Sequence, residues 1–357
     1  MSQSIYDLLK NYFGYERFRP LQEEIIQNIL DQKNCLVLMP TGGGKSLCYQ
    51  LPALYNSGIT LVISPLISLM KDQVDALKAN GINAEKINSG QSFDDNARIK
   101  SQAKNGKLNL LYVSPERLSI ASFRQFLMSL NITLIAIDEA HCISEWGHDF
   151  RPDYRNLSSL RQDFQDVPIL ALTATATKKV RQDIVNHLNI PEGNIFISSF
   201  NRKNLSYKVL QKGSAKSNFN KLRALLSQHS GESCIIYCFS RKEADNLAKD
   251  LCEHGFNALS YHAGLSDTER KINQEKFIRD EVLIITATIA FGMGIDKPDV
   301  RLVVHYSLAK SLEGYYQETG RAGRDGLASD CVIFYSYGDK HKQEYFIDQI
   351  EDKEEQN

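Results

Sequence analysis

Met39-Pro40-Thr41-Gly42-Gly43-Gly44-Lys45-Ser46 is the stretch that decides the fold, because it directly follows the apolar run Cys35–Leu38. A buried strand that ends in a glycine-rich loop is typical of a phosphate cradle in an α/β protein. The three glycines carry no Cβ, so their backbone N–H groups can turn inward and approach phosphate oxygens closely. We therefore predict that residues 39–46, here called the P-loop, bind the phosphates of a nucleotide.

The residues around the three glycines fit the same chemistry. Lys45 supplies a positive charge for the β- and γ-phosphates, and the Ser46 hydroxyl is a ligand for Mg²⁺. The helix predicted from Leu47 onward points its positive N-terminal end at those phosphates. The strict pattern has a glycine where this chain has Met39, so a flexible glycine turn without a nucleotide is the alternative. The candidate phosphate-binding residues are Thr41, Gly42, Gly43, Gly44, Lys45 and Ser46.

Composition describes an ordinary globular chain. The 357 residues are 42% hydrophobic and 24% charged, and this length allows two domains that each have a core. No apolar stretch approaches the roughly 20 residues that span a bilayer, and the N-terminus lacks the apolar centre of a signal peptide. We therefore expect a cytoplasmic protein without a membrane partner, nucleoid-associated in a bacterium or nuclear in a eukaryote.

Charge and cysteine usage narrow the possible ligands. The net charge of −1 argues against nucleic-acid binding through a broad basic surface, although a narrow basic groove remains compatible with it. Seven cysteines are scattered through the chain without a Cys-x-x-Cys pair. Buried reduced thiols are therefore expected, and no zinc is expected in this chain.

Short apolar runs alternate with helical patterns in both halves of the chain. This alternation predicts an α/β fold of two tandem domains, each with a mainly parallel sheet flanked by helices. We expect the first domain over residues 1–200, the second over 201–341, and an acidic tail over 342–357 that begins a helix. A helical pattern over 66–80 ends at Gly81, and the polar stretch 198–204 is interpreted as an interdomain linker. The predicted strands are 35–38, 61–63, 110–113, 134–137 and 169–172, then 234–238, 258–261, 282–285, 302–304 and 331–334.

Asp138 and Glu139 follow the predicted strand 134–137. Two adjacent carboxylates at a buried strand end are costly to desolvate unless a cation is near. A Mg²⁺ ion that bridges to nucleotide phosphates is such a cation. Asp138 would hold the metal through water, and Glu139 would orient and deprotonate the attacking water. The alternative is a solvated pair of acids without catalytic function.

With these motifs in this order, the chain resembles the RecQ family of superfamily 2 DNA helicases over nearly its whole length. The resemblance implies two RecA-like domains with ATP bound between them, and ATP hydrolysis stimulated by DNA. It also implies 3′→5′ movement and unwinding of single-stranded and partially duplex DNA, in repair and recombination. Two alternatives remain: an RNA helicase or remodeller of the same superfamily, and a nucleic-acid annealing or scaffold protein with weak unwinding.

The N-terminal segment resembles the adenine-recognition motif of that family. The resemblance implies that Gln22 pairs with the edges of adenine, while Arg19 or Tyr15 flanks the base. Without the resemblance, the aromatic residues of the segment would be interpreted as helix-packing side chains; they are Tyr12, Phe13, Tyr15 and Phe18.

Residues 141–154, His-Cys-Ile-Ser-Glu-Trp-Gly-His-Asp-Phe-Arg-Pro-Asp-Tyr, resemble the aromatic-rich loop of RecQ proteins and contain the single tryptophan. Trp146, Phe150 and Tyr154 offer stacking faces for unpaired bases, and His148 and Arg151 offer contacts to phosphates or bases. The segment is joined to Asp138 and Glu139, so DNA could act on the catalytic carboxylates. The alternative is that these aromatic side chains only pack.

Further motifs of the family follow other strands. The segment 172–176, Leu-Thr-Ala-Thr-Ala, resembles the motif that links the ATP state to domain closure. Asp296 is expected to face the ribose or an arginine of the nucleotide site. The remaining candidates for DNA contact and coupling are Ser64, Ser114, Arg241, His262 and Thr288.

Residues 315–326 contain Gln317, Arg321 and Arg324. Two guanidinium groups three residues apart would share one face of a helical turn and could reach a γ-phosphate. An arginine in that position accelerates phosphoryl transfer by roughly 10³–10⁵ in other systems. We expect Arg324 to be this arginine, with Arg321 beside it; the alternative is that both form surface salt bridges.

RecQ proteins usually carry a cysteine-ligated zinc subdomain and a winged helix after the second RecA-like domain. None of the needed cysteines follows the helical segment 338–350. We therefore expect this chain to act as a helicase core that hydrolyses ATP with single strands, unwinds weakly and binds no stoichiometric zinc.

Overall fold

The computed structural model describes residues 3–88, 90–146, 149–289, 291 and 297–347. The chain folds into two compact units, Met1–Phe200 and Asn201–Asn357. Within the described residues, no helix is both long and apolar enough to cross a membrane.

The first unit is built on a seven-stranded sheet in the order β3-β4-β2-β5-β6-β1-β7. All neighbouring strands run parallel. The strands are β1 Cys35–Leu38, β2 Ile59–Ile63, β3 Ala84–Ile87, β4 Leu110–Val113, β5 Ile132–Ile137, β6 Ile169–Thr173 and β7 Ile195–Ile197.

Both faces of this sheet are buried, as its apolar strands predict. Along β1, Leu36 and Leu38 belong to one hydrophobic cluster, whereas Cys35 and Val37 belong to another. Side chains alternate between the two faces of a strand, so the two clusters lie on opposite sides of the sheet. Helices must therefore cover both sides.

The helices of the first unit lie between these strands. The predicted helix over 66–80 is confirmed, because α4 ends at Ala79 and Gly81 adopts a φ of 77°. The helices are α1 Ile5–Phe13, α2 Gln22–Leu30, α3 Leu47–Tyr55, α4 Ile67–Ala79, α5 Phe93–Lys104, α6 Ala121–Met128, α7 Leu157–Asp163 and α8 Lys178–Leu188. Short 3₁₀ helices occupy Pro115–Ser119, Ala140–Ile143, Pro152–Asn156 and Glu192–Asn194.

The second unit repeats the architecture with six parallel strands in the order β10-β11-β9-β12-β13-β8. The strands are β8 Leu205–Gln211, β9 Ser233–Tyr237, β10 Ala258–Tyr261, β11 Ile284–Ala287, β12 Val300–His305 and β13 Ser329–Tyr335. The helices are α9 Ala215–Gln228, α10 Arg241–Glu253, α11 Asp267–Ile278, α12 Leu312–Thr319 and α13 Tyr337–Ile347.

The predicted α/β class, with one parallel sheet in each half, is confirmed. The P-loop, the acidic pair and the 172–176 segment follow strands β1, β5 and β6, as expected for the carboxyl edge of a parallel sheet. The predicted tail helix falls partly on α13, and residues 348–357 lie outside the described residues.

Candidate nucleotide-binding and catalytic site

The P-loop leaves β1 and turns into α3. Gly42 and Gly44 adopt left-handed φ values of 76° and 84°, which favour glycine over residues that carry a Cβ. The Lys45 ammonium donates to the carbonyl oxygens of Met39 at 3.0 Å and Pro40 at 3.4 Å. The side chain predicted to bind phosphate therefore lies folded over its own loop.

Arg19 and Gln22, predicted to contact adenine, bond the P-loop instead. The Gln22 amide nitrogen donates to the Gly44 carbonyl at 3.0 Å, and its amide oxygen accepts from the Arg19 backbone at 2.8 Å. The Arg19 guanidinium donates to the Gly42 carbonyl. A Cβ on Gly44 would displace the Gln22 amide nitrogen, and the φ of 84° at Gly44 independently disfavours a side chain. Two side chains of the adenine-recognition segment thus hold two glycines of the P-loop.

The aromatic residues of this segment divide into two groups. Tyr12, Phe13 and Phe18 pack against a core cluster under α1, as the helix-packing alternative predicts. Tyr15 differs, because 54% of its surface is exposed. Of the four, Tyr15 is therefore the side chain whose face is accessible to a base.

Asp138 and Glu139 follow the end of β5, and the pKa of Asp138 is strongly raised there. Burial and the neighbouring charge of Glu139 together raise the pKa of Asp138 to about 7, although the charge of Lys45 opposes the rise. Glu139 has a left-handed φ of 50°, which is strained for a residue with a side chain. A carboxylate with such a pKa beside a second acid is a site that favours a cation.

His141 joins this acidic pair to the end of β6. Its Nδ1 lies 2.9 Å from the Thr173 hydroxyl and 3.3 Å from a carboxylate oxygen of Glu139. The Thr173 hydroxyl donates to the Thr175 carbonyl at 3.0 Å, so it accepts from His141 and Nδ1 carries the proton. Thr173, in the 172–176 segment, therefore contacts the acidic motif through His141.

The three aromatic side chains predicted to stack on bases have different environments. Tyr154 is fully buried and its hydroxyl donates to the Asp138 carbonyl at 2.9 Å. The stacking role predicted for Tyr154 is therefore wrong, and the side chain supports the acidic motif instead. Phe150 is half-buried and Trp146 is 41% exposed, so both retain accessible surface.

Trp146 is held by the first two turns of α8. The ammonium of Lys179 lies over the indole, 2.8 Å from the ring centroid. The Ser144 hydroxyl donates to Asp183 at 2.6 Å and accepts from the Trp146 backbone at 3.3 Å. Sequence reasoning missed Lys179, although a lysine at the start of the helix after the 172–176 motif was a usable signal. His148 lies outside the described residues.

Arg151 makes contacts within the first unit. Its guanidinium donates to Asp149 at 3.1 and 3.2 Å and to the Pro65 carbonyl at 3.2 Å. The ligand atoms of His141, Cys142 and Asp149 lie within 4.8 Å of one another. Burial raises the pKa of Cys142, and Asp149 is already paired with Arg151, so this trio does not fit a metal ion.

Ser64 and Ser114 follow β2 and β4, which pair through Ile63 and Val113. Both residues are only 2% exposed. Each hydroxyl lacks a hydrogen-bond partner among the described atoms. The two predicted DNA contacts are therefore adjacent in the sheet but enclosed by protein.

The DNA-contact candidates of the second unit lie after its strands. Arg241 is exposed at the first position of α10, and Thr288 is half-buried after β11. His262 is only 4% exposed and uses both ring nitrogens: Nε2 lies 2.8 Å from Asp245, and Nδ1 accepts from the Gly264 backbone at 3.2 Å. His262 is thus placed to fix the loop after β10. Asp296 lies outside the described residues.

The predicted pair Arg321 and Arg324 does not share a helix face. Helix α12 ends at Thr319, and residues 320–327, here called the arginine turn, form consecutive turns before β13. Gly323 breaks the helical path because its φ is +54°. The expectation of one helical face is therefore wrong, since it counted residues through a helix that has already ended.

The two arginines also differ in burial. Arg321 is 7% exposed and lies against Tyr237. Burial raises the pKa of Tyr237 to about 12, although the Arg321 guanidinium opposes the rise. Arg324 and Gln317 are half-buried. Arg324 is therefore the more accessible of the two cations, and its contact with a phosphate stays a prediction.

Comparison with known proteins agrees with this geometry. Residues 19–184 match the DEAD/DEAH box helicase family, and residues 217–326 match the helicase conserved C-terminal domain. Among solved structures, Dbp5 from S. cerevisiae bound to RNA and ADP BeF3 superposes with a TM-score of 0.74 at 18% identity. The match covers 96% of this chain and 90% of Dbp5. The helicase MrfA bound to DNA and AMPPNP gives 0.76 at 16% identity, covering 97% and 53%.

Sequence relatives are much closer. The ATP-dependent DNA helicase RecQ of Pasteurella multocida is 50% identical over 339 residues, which are 95% of this chain and 53% of the relative. RecQ of Bacillus subtilis is 49% identical over 351 residues, covering 98% and 59%. The RecQ-like DNA helicase BLM of Xenopus laevis is 48% identical over 346 residues, covering 95% and 25%. The chain spans about half the length of the bacterial relatives.

Two parallel α/β units, a P-loop after the first strand and an acidic pair after β5 define the core of a superfamily 2 helicase, with RecA-like units. The identity to RecQ helicases over nearly the whole chain then gives the family. The chain belongs to the RecQ family.

Proposed function

We propose that this chain is the core of an ATP-dependent DNA helicase, which hydrolyses ATP when DNA is bound and so moves 3′→5′ along a strand. The acidic pair after β5 is the observation that carries the proposal. Asp138 has a pKa raised to about 7 and responds to the charge of Lys45, so the acid lies near the P-loop. An isolated pair of solvated acids has neither property.

In this proposal the P-loop binds the phosphates of ATP, through Thr41, Gly42–Gly44, Lys45 and Ser46. Lys45 exchanges the Met39 and Pro40 carbonyls for phosphate oxygens. Arg19 and Gln22 exchange their P-loop carbonyls for adenine in the same way, and Tyr15 supplies an exposed ring. The side chains that bond the P-loop are thus the ones proposed to bind the nucleotide.

Ser46 and Asp138 fit a magnesium site, because oxygen ligands and a carboxylate with a raised pKa are what this ion prefers. When bound, Mg²⁺ neutralises charge on the phosphates. Glu139 acts as the base that accepts a proton from the attacking water. His141 holds the Glu139 carboxylate in place and receives its own orientation from Thr173. Arg324, with Arg321 and Gln317, contacts the γ-phosphate in the transition state.

Single-stranded and partially duplex DNA are the proposed nucleic-acid ligands, because the close relatives are DNA helicases by name. Trp146 and Phe150 offer stacking surface. His148 and Arg151 are proposed as further contacts of the first unit, whereas Ser64 and Ser114, which are buried, are proposed for coupling. Arg241, His262 and Thr288 are proposed for the second unit, and Asp296 for the nucleotide.

A comparison of ATP hydrolysis with single-stranded DNA, single-stranded RNA or no nucleic acid tests the proposal. We expect DNA to raise kcat strongly and RNA of the same sequence to raise it little. Equal stimulation by RNA would assign the chain to RNA remodelling, which the RNA-bound Dbp5 fold makes the second candidate. No hydrolysis under any condition would reject an ATPase and favour an annealing protein.

A further inference from the structure

The stretch 198–204 makes specific bonds that its interpretation as a polar linker does not require. Within the second unit, Arg202 and Asn204 bond the backbone of the arginine turn. Within the first unit, the Ser198 backbone donates to the Leu38 carbonyl at 2.8 Å, directly before the P-loop. Four positions of chain separate Ser198 from Arg202.

Arg202 joins two carbonyls of the arginine turn. One Nη donates to the Gly320 carbonyl at 3.0 Å, and the other donates to the Gly323 carbonyl. The planar guanidinium presents its donors in a fixed fork, so one side chain fixes the spacing of two backbone groups on either side of Arg321.

Asn204 holds the same turn from a second direction. Its amide nitrogen donates to the carbonyls of Gly323 and Leu327, both at 2.9 Å, and its amide oxygen lies 3.5 Å from Arg202. Arg324 lies between these two carbonyls in the chain. The two side chains thus fix the backbone on both sides of Arg324.

Gly323 packs closely against the Asn204 side chain. A Cβ there would lie 2.6 Å from the Asn204 amide nitrogen and 2.6 Å from the Leu327 carbonyl. Its φ of +54° disfavours a side chain independently. The backbone of the arginine turn therefore packs directly against the Asn204 side chain.

We propose that Arg202 and Asn204 are positioning residues for Arg324: they hold the arginine turn in the one conformation from which Arg324 contacts the γ-phosphate. The proposal rests on the proposed ATPase function. A misplacement of about 1 Å in a catalytic group lowers turnover by roughly 10²-fold. Loss of either side chain therefore acts on kcat rather than on nucleotide binding, which belongs to the first unit.

Arg202→Ala, Arg202→Lys and Asn204→Asp test this inference. The lysine keeps the charge but loses the rigid planar fork of donors, and the aspartate keeps the shape but loses the donor. We expect each to lower DNA-stimulated kcat by about 10- to 100-fold with little change in KM for ATP. Affinity for ADP should stay within about twofold of wild type, whereas affinity for ADP with aluminium fluoride, a transition-state mimic, should fall with kcat. Equal losses for both ligands, or unchanged kcat in all three variants, would overturn the inference.

A double-mutant cycle with Arg324→Ala separates positioning from general folding. If Arg202 acts through Arg324, Arg202→Ala should add less than about a twofold loss of kcat in the Arg324→Ala background. Multiplication of the two single losses would contradict the inference. Lys221→Ala is the matched control, because Lys221 also donates to a backbone carbonyl of this unit, that of Gln211 at 2.7 Å. It should retain wild-type kcat, and thermal unfolding should show all variants folded.

The outcomes separate this inference from the proposed function. A wild-type chain without DNA-stimulated hydrolysis would reject the function itself. An active wild type that Arg324→Ala impairs, together with unimpaired Arg202 and Asn204 variants, would reject the inference alone.

Discussion

Asp138 destabilises the folded chain in the absence of a nucleotide. Burial and Glu139 raise its pKa from 3.8 to about 7. The folded state therefore binds this proton more tightly than the unfolded state, and stability decreases as the pH rises from about 4 to about 7. A pKa difference of one unit between the folded and unfolded states corresponds to about 1.4 kcal/mol. Above about pH 7 the ionised Asp138 side chain therefore opposes folding.

We predict that Asp138→Asn raises the melting temperature of the nucleotide-free chain by several degrees at pH 8 while abolishing hydrolysis. For a unit of this size, each kcal/mol corresponds to about 2–4 °C. The gain should be smaller at pH 5, where the wild-type carboxyl is largely protonated in the folded state. Scanning calorimetry at both pH values measures it, with the exposed Asp166→Asn as the control. A gain that does not depend on pH would show that ionisation is not the cause.

Glu139→Gln separates binding from chemistry. The amide preserves the shape of the side chain but cannot accept a proton from water. We predict ATP affinity within about threefold of wild type and kcat lower by roughly 10²–10⁴-fold. Titration with a fluorescent ATP analogue and a turnover assay on one preparation measure both. A parallel loss of affinity would make Glu139 a structural residue of the strained turn.

Residue placement was predictable where it depends on type and spacing: Asp138 follows the buried strand β5, and its pKa responds to the charge of Lys45. It was not predictable where burial decides the role. Tyr154 has an aromatic side chain that could stack on a base, yet its hydroxyl donates to the Asp138 carbonyl inside the core. Periodicity alone does not distinguish these two environments.

Among the elements, buried strands were predicted well and edge strands poorly. β1 and β4 have the predicted bounds because each is a short, fully buried apolar run. β10 was also predicted with the right bounds, although it is an edge strand. β8 was missed because it is the edge strand of its sheet and leaves Tyr207 and Val209 exposed, without a continuous apolar run. β3 was missed because Glu85 and Lys86 interrupt it.

Helix α8 gives the aromatic segment a testable function. Lys179 covers one face of Trp146, so a base that stacks there changes the surroundings of the only tryptophan in the chain. We predict that single-stranded DNA changes the intrinsic fluorescence. Trp146→Ala and Phe150→Ala should weaken DNA stimulation by about tenfold and leave basal hydrolysis unchanged, since base–aromatic stacking contributes about 1–3 kcal/mol.

Phe93→Ala is the matched control for this element, because Phe93 is an aromatic residue of the same unit and 86% exposed. It should leave stimulation at the wild-type level. Constant fluorescence with wild-type stimulation in the Trp146 and Phe150 variants would support the packing alternative.

At the scale of the whole molecule, the net charge of −1 limits how the chain binds nucleic acid. Affinity for duplex DNA depends largely on neutralisation of phosphates, and this chain has no excess of positive charge for it. We predict strong preference for single strands over a blunt duplex at moderate salt, weak unwinding, and no stoichiometric zinc by elemental analysis. Processive unwinding of a long duplex, or one zinc per chain, would contradict this prediction.

The fold class followed from the alternation of apolar runs and helices, which is a local pattern. The contacts of the 198–204 stretch could not be predicted in this way, because Arg202 bonds residues 118 and 121 positions away. Contacts over that separation are set by the packing of β8 beside β13, and no local pattern encodes them.

Gly44 and Gly323, which each lie against a carboxamide, constrain how the sequence can evolve. Gly44 accommodates the Gln22 amide, and Gly323 accommodates the Asn204 amide, each at a distance that no Cβ tolerates. In each unit, a mutation to alanine is harmful, and shortening the partner side chain relieves the close contact but not the strain of the positive φ. Codons 44 and 323 should therefore keep glycine in descendant lineages even where codons 22 or 204 have changed, and a survey of aligned genes checks this expectation.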